Sequence, residues 1–281
     1  MHPTDHLHEA IIRAGSPICV GMDPVYEQLP DAVRARHHEP LAAIGEFGRG
    51  VLRAIAGVAP AVKFQSACYE RYGSRGVAVL EEHLRDAAQA GLFIVLDAKR
   101  GDIGISAAHY AAAALRGGAH AVTVSGYLGP SGVTPFLDAG LGVFVLVRTS
   151  NPDSDAVQGH ALRDGRTVAE MMADHVAALG ASRLGACGLS AVGAVVGATK
   201  SAEAAALRAR MPDQVFLVPG YGAQGGTAED IRAMLRADRR GVLVTASRSV
   251  IYAKGDGAWD EAVRDAATRF RDEIAAVIAG S

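Results

Sequence analysis

Eight short apolar runs recur along this 281-residue chain, each followed by a longer segment, often alanine-rich, with helical spacing. The runs cover residues 18–22, 61–64, 92–96, 121–124, 142–147, 191–196, 215–218 and 241–245. They are continuously apolar and not alternating, as expected of strands buried on both faces of a parallel sheet. Helical patterns lie near residues 40–57, 74–90, 104–116, 131–139, 166–179, 201–210, 227–236 and 258–278. Thr227 followed by Asp230 reads as an N-cap with an acidic first turn. Eight βα units predict an α/β protein of the closed (β/α)₈ TIM-barrel type; a doubly wound open sheet is the alternative, and the strand count favours closure. No Pro/Gly/Ser linker and no break in composition divides the chain, so residues 1–281 are expected to form one barrel domain. The polar, turn-rich stretch 149–165 reads as a long loop after the fifth strand.

Composition narrows the function classes. Hydrophobic residues make up 49% and charged residues 21%, which permits a sizeable core. The net charge of −2 and the scattered lysines and arginines give no reason to expect nucleic acid as a partner. No apolar stretch approaches the roughly 20 residues of a membrane-spanning helix, so no membrane partner is expected. The first residues carry Asp5 and Glu9 without an apolar core, unlike a secretory signal. Three widely spaced cysteines (Cys19, Cys68, Cys187) argue against a disulfide framework and fit a reducing compartment; a cytoplasmic location is expected.

In a barrel of this kind the chemistry sits where the strands end. The third run, Phe93 to Leu96, leads into Asp97, Lys99 and Asp102. Along a strand, i and i+2 point the same way, so Asp97 and Lys99 are expected on one face. Held together they suit charge-based chemistry on a small molecule, although a structural ion pair would satisfy the same spacing. The other strand ends supply Asp23, Lys63, then Thr149, Ser150 and Asn151, then the segment GYGAQGG with Gln224, Gly225 and Gly226, and lastly Arg248. GYGAQGG is neither a Walker A loop nor a dinucleotide fingerprint. Its glycines could expose N–H groups to an anion, and Arg248 adds a bidentate donor from the next strand. Loops after strands seven and eight are the frequent phosphate site of such barrels, which points to a phosphorylated ligand. The ten histidines show no metal-ligating spacing, and no nucleophile elbow or cysteine-protease motif is present. Neither a metal nor an organic cofactor is expected.

With Asp23, Lys63, the Asp97-x-Lys99-x-x-Asp102-Ile103 signature, Ser150, GAQGG and Arg248 all in order, the chain resembles the orotidine 5′-phosphate decarboxylase family over most of its length. Its length, the wording AKRGDIG and the long loop after strand five are similar to the longer bacterial branch. The resemblance implies conversion of orotidine 5′-phosphate to uridine 5′-phosphate in pyrimidine synthesis, without a cofactor, by a homodimer. It implies that Lys63, Asp97, Lys99 and Asp102 form an alternating charge array, with Asp102 coming from the partner subunit, and that Lys99 protonates C6. It implies further that Asp23 and Lys63 contact ribose hydroxyls and that Ser150 bonds the pyrimidine. Gln224, Gly225, Gly226 and Arg248 would hold the phosphate, and Ile103 and Ser106 would join the substrate site. Ser106 stands where the family usually has threonine, keeping the hydroxyl, and Gly104 replaces a frequent proline.

These residue types suit that chemistry. Loss of CO₂ from C6 leaves a poorly delocalised carbanion; a preorganised ammonium can both stabilise it and protonate it. Alternating amines and acids keep the array near neutral, limiting the cost of burying it. Three alternatives use the same residues. A metal-dependent sugar-phosphate decarboxylase, such as 3-keto-L-gulonate 6-phosphate decarboxylase, would want an acidic ligand where Lys63 stands. An aldolase would use Lys99 as a Schiff-base nucleophile. A non-catalytic barrel would merely bind phosphate.

Overall fold

Parallel strands that are apolar throughout have no face to offer water, and here they close on themselves. The computed structural model, which describes residues 1–198, 201–222 and 225–280, contains β1 (Ile18–Met22), β2 (Ala61–Gln65), β3 (Phe93–Arg100), β4 (Ala121–Val124), β5 (Gly142–Arg148), β6 (Ser190–Val196), β7 (Gln214–Val218) and β8 (Val242–Ala246). All neighbours are parallel, and β8 returns to β1 to shut the barrel. The closed topology excludes the open doubly wound sheet. Helices fall where the periodicity predicted them, including Pro40–Ile55, Gly73–Gln89, Gly104–Arg116, Val168–Gly180 and Trp259–Ala279. Thr227 and Asp230 form a reciprocal capping box ahead of the helix Ala228–Met234.

Strand alternation sorts the side chains into two cores. Outward residues such as Val20, Val62, Ile94 and Val244 pack under the helices, whereas Phe93, Phe144, Val215 and Leu243 fill the barrel's interior. Each large apolar side chain so buried contributes about 1.5–3 kcal/mol. Inward positions nearer the strand ends carry Lys63, Asp97, Thr123 and Thr245, so the interior turns from oily to polar along its axis.

Two features depart from expectation. The opening segment, for which the apolar pattern predicts no element, is a helix, Pro3–Ala14. Leu7 joins the interior cluster; Thr4 Oγ1 donates to the Leu189 carbonyl at 2.9 Å, and the Asp5 carboxylate accepts from the amides of Ala186 and Cys187. The helix thereby stoppers the end of the barrel where the strands begin. The stretch 149–165 is also more ordered than a plain loop. It contains a 3₁₀ turn, Pro152–Ser154, and a short helix, Asp155–Gln158. Buried Arg148 anchors it, reaching Ser154 and Asp155 on one side and Glu203 of the helix Ser201–Arg210 on the other.

Candidate active site

The strand ends surround a cavity of about 630 Å³ lined by residues of all eight strands or the loops after them. Asp23, Lys63, Asp97, Lys99, Ser150 and Arg248 all contribute to its wall. Lys63 and Asp97 are each 6% exposed, which is rare for charged groups unless they are paired. Lys63 Nζ donates to Asp97 Oδ2 at 2.7 Å and lies 3.7 Å from Asp23 Oδ1. Lys99 Nζ donates to Asp97 Oδ1 at 2.6 Å, and its side chain is about half exposed. The order Asp23, Lys63, Asp97, Lys99 is therefore a chain of alternating charge, with Lys99 at its open end. Asp23 Oδ1 is buried with no hydrogen-bond donor of its own.

The electrostatics follow from that geometry. Burial alone would push the Lys63 ammonium down, but the Asp23 and Asp97 carboxylates outweigh it and carry it above the usual lysine value. Burial likewise favours a protonated Asp97, yet the two ammonium groups and their hydrogen bonds hold it at about 2. Both groups stay charged across the physiological range, with Asp97 fixed as an acceptor.

Local backbone explains how β1 and β8 come so close here. Gly21 pairs with Lys63 across the β1–β2 ladder, and a Cβ on it would sit 1.9 Å from Ser247 Oγ. Only glycine leaves that room. Tyr252 then bridges the same two elements: its hydroxyl accepts from the Val25 amide at 2.7 Å and donates to the Asp23 carbonyl at 3.2 Å.

Asp97 and Lys99 both line the cavity, as i, i+2 alternation predicts, but the backbone that carries Lys99 is irregular. The β3–β4 register slips between Leu96 and Arg100, and Lys99 takes a left-handed backbone with φ 46°. From that backbone its ammonium meets Asp97 Oδ1. Thr123 was not among the sequence candidates, yet it lines the cavity and donates to Asp97 Oδ1 at 2.8 Å.

A sequence-family model described as "Orotidine 5'-phosphate decarboxylase / HUMPS family" matches residues 16–262. The chain belongs to this orotidine 5′-phosphate decarboxylase / HUMPS family. Among its relatives, a Rhodopirellula baltica protein named orotidine 5′-phosphate decarboxylase is 40% identical over 294 residues, covering 95% of this chain and 97% of its own. One of the same name from Salinispora tropica is 41% identical over 98% of both chains. The solved structure of Leishmania donovani OMP decarboxylase superposes with a TM-score of 0.82 at 34% identity, over the full length of both chains.

Within this family member the remaining sequence candidates separate into two places. Asp102 does not line the cavity; its Oδ1 accepts from the Ile103 amide at 2.9 Å. Ile103 and Ser106 also stand outside, exposed at the start of the helix Gly104–Arg116. After β8, the Arg248 side chain is exposed and makes no hydrogen bond or ion pair with another described residue. Gln224 lies outside the described residues. The glycines beside it correct one expectation. The Gly225 amide donates to the Gly222 carbonyl at 2.9 Å and the Gly226 amide to the Gly220 carbonyl at 3.2 Å, so these N–H groups brace the loop and are not free for an anion. Gly225 suits its place through its positive φ of 90°. Among the described residues no group of three or more His, Cys, Asp or Glu side chains is placed to hold a metal ion.

Proposed function

We propose that this cavity decarboxylates orotidine 5′-phosphate to uridine 5′-phosphate. The observation that carries the reading is the buried Lys63–Asp97–Lys99 chain at the cavity floor, ending in a half-exposed ammonium. A substrate whose C6 faces Lys99 would meet a fixed positive charge where the carbanion forms, and a proton to quench it. Asp97 cannot readily take that proton, because two ammonium groups hold it ionised. In this reading Asp23 and Lys63 receive ribose hydroxyls, Ser150 bonds the base, and Arg248 with Gln224 grips the phosphate. Since the glycine amides are internally bonded, Arg248 carries most of that grip in this reading. A spectrophotometric assay with orotidine 5′-phosphate is expected to show turnover that a chelator leaves unchanged. Absence of turnover, or its abolition by the chelator, would overturn the reading.

The same reading makes the chain a homodimer in which Asp102, Ile103 and Ser106 complete the partner's cavity. Ile103, Ile105, Tyr110, Leu115, Tyr127 and Leu128 are six of the eleven exposed large apolar side chains among the described residues. They cluster within 103–128, and a Cβ on Gly132 would touch both the Asp102 carbonyl and the Leu128 side chain, which ties the two ends of that stretch together. Such clustering marks an interface more often than chance exposure does. Ile105 is 74% exposed, so Ile105→Glu should leave the monomer's fold intact. It is expected to shift the dimer toward monomer by sedimentation velocity and to lower specific activity in proportion. Full activity in a monomeric variant would refute the shared site.

A further inference from the structure

Lys99 and Arg239 alone among the described non-glycine residues have positive φ. For lysine that conformation costs roughly 1–2 kcal/mol, and it persists only where surrounding contacts enforce it. At Lys99 the enforcing contact is visible. The slip in the β3–β4 ladder carries its N–H away from the strand's regular carbonyl partners. That amide donates instead to Thr123 Oγ1 at 2.9 Å. The same hydroxyl gives its own proton to Asp97 Oδ1 at 2.8 Å. Thr123 is 1% exposed, so water does not compete for either bond. A hydroxyl has one proton and two lone pairs. Here the proton is committed to the carboxylate and a lone pair to the lysine's backbone, so one oxygen joins two members of the charge chain.

We propose that Thr123 is a positioning residue for the reaction: its hydroxyl ties the left-handed backbone of Lys99 to the orientation of Asp97, fixing ammonium and carboxylate relative to each other before substrate arrives. The inference rests on the proposed decarboxylation and adds a residue that neither strand spacing nor charge singles out. Without the tie, Lys99 would relax toward an ordinary strand conformation and swing its ammonium away from the place where charge develops. Misplacement of a reacting group by about 1 Å typically costs about 100-fold in rate. Ground-state binding through the phosphate and ribose would be largely kept, since the Thr123 hydroxyl bonds the Lys99 amide and Asp97 and neither Arg248 nor Asp23, and Asp97 keeps its bond from Lys63.

The test compares Thr123→Val, which keeps shape and strand preference but loses both hydrogen bonds, with Thr123→Ser, which keeps both. The valine variant is expected to lose about 10- to 100-fold in kcat, while its Kd for uridine 5′-phosphate stays within about threefold of the parent. The serine variant should recover most of the rate. Independently of catalysis, the Lys99 amide in the valine variant should exchange with deuterium at least about tenfold faster, and at near-parental rate in the serine variant. If Thr123→Val does not fold, Thr123→Ala takes its place with the same expectations. A hydroxyl-free variant that turns over like the parent would overturn the proposal, as would unchanged Lys99 exchange or equal losses in kcat and product affinity. No turnover by the unaltered chain would instead fell the decarboxylase reading and with it the kinetic expectation, and the exchange measurement would still judge the tie.

Discussion

Lys99→Ala is expected to lower kcat/KM for orotidine 5′-phosphate by about 10⁴-fold or more. Two losses combine. A preorganised charge facing a developing anion is worth about 10²–10³ in rate, and a positioned proton donor about 10²–10⁴. The fold should survive. Lys99 is the half-exposed end of the charge chain, Asp97 keeps its bonds from Lys63 and Thr123, and alanine carries the same Cβ, so the backbone strain at φ 46° is unaltered. The thermal midpoint and the sedimentation profile should therefore match the parent while turnover vanishes. Near-parental turnover would remove Lys99 from the proton-donor role. Equal collapse of fold and activity would leave it a structural ion pair, the alternative that spacing alone allowed.

Arg248→Ala should produce the second-largest effect, of a different kind. Charge-assisted bonds from a guanidinium to a phosphate contribute about 1.5–3 kcal/mol each, and two of them correspond to about 10²–10⁴ in kcat/KM. Because the phosphate lies remote from C6, the loss should fall on the phosphorylated substrate alone. Orotidine, which lacks the phosphate, should be turned over equally poorly by parent and variant. The exposed Arg248 side chain has no described protein partner to abandon, so stability should hardly change. A variant that slowed both substrates equally would place Arg248 in some other role.

The barrel was legible because continuous apolar runs and helical periodicity are both one-dimensional patterns. β1 and β4 fall on residues 18–22 and 121–124 as the apolar runs predict, and the other strands differ by a residue or two at their ends, apart from β3, which runs on to Arg100. Asp97 was legible too, since Phe93, Val95 and Asp97 share the inward face by simple alternation. What escaped depends on departures from period or on partners distant in sequence. The kink at Lys99 comes from a register slip against β4, which no local pattern encodes. Thr123 looks like any β-branched strand residue until its oxygen is seen between two members of the charge chain. The helix Pro3–Ala14 buries only Thr4, Leu7 and Ala10, too sparse a stripe to stand out among charged residues. Arg148 and Arg208 were invisible as core residues because arginine is ordinarily a surface group. Arg208 is buried over the Phe216 ring and donates to four carbonyls, those of Met211, Gln214, Met234 and Gly241. The braced glycine loop teaches the converse: glycine richness signalled unusual backbone, and the amides it freed found carbonyls within the loop itself.

The seam where β8 meets β1 is narrow, with Gly21 against Ser247 and Tyr252 latched to the backbone of Asp23 and Val25. Asp23 and Arg248 flank it from opposite sides, one from each extremity of the eight-strand circuit. A molecule gripped by both therefore acts as a clasp on the ring. Its binding energy opposes not a local fraying but the unzipping of the whole circle, and ligand occupancy becomes a property that every strand feels.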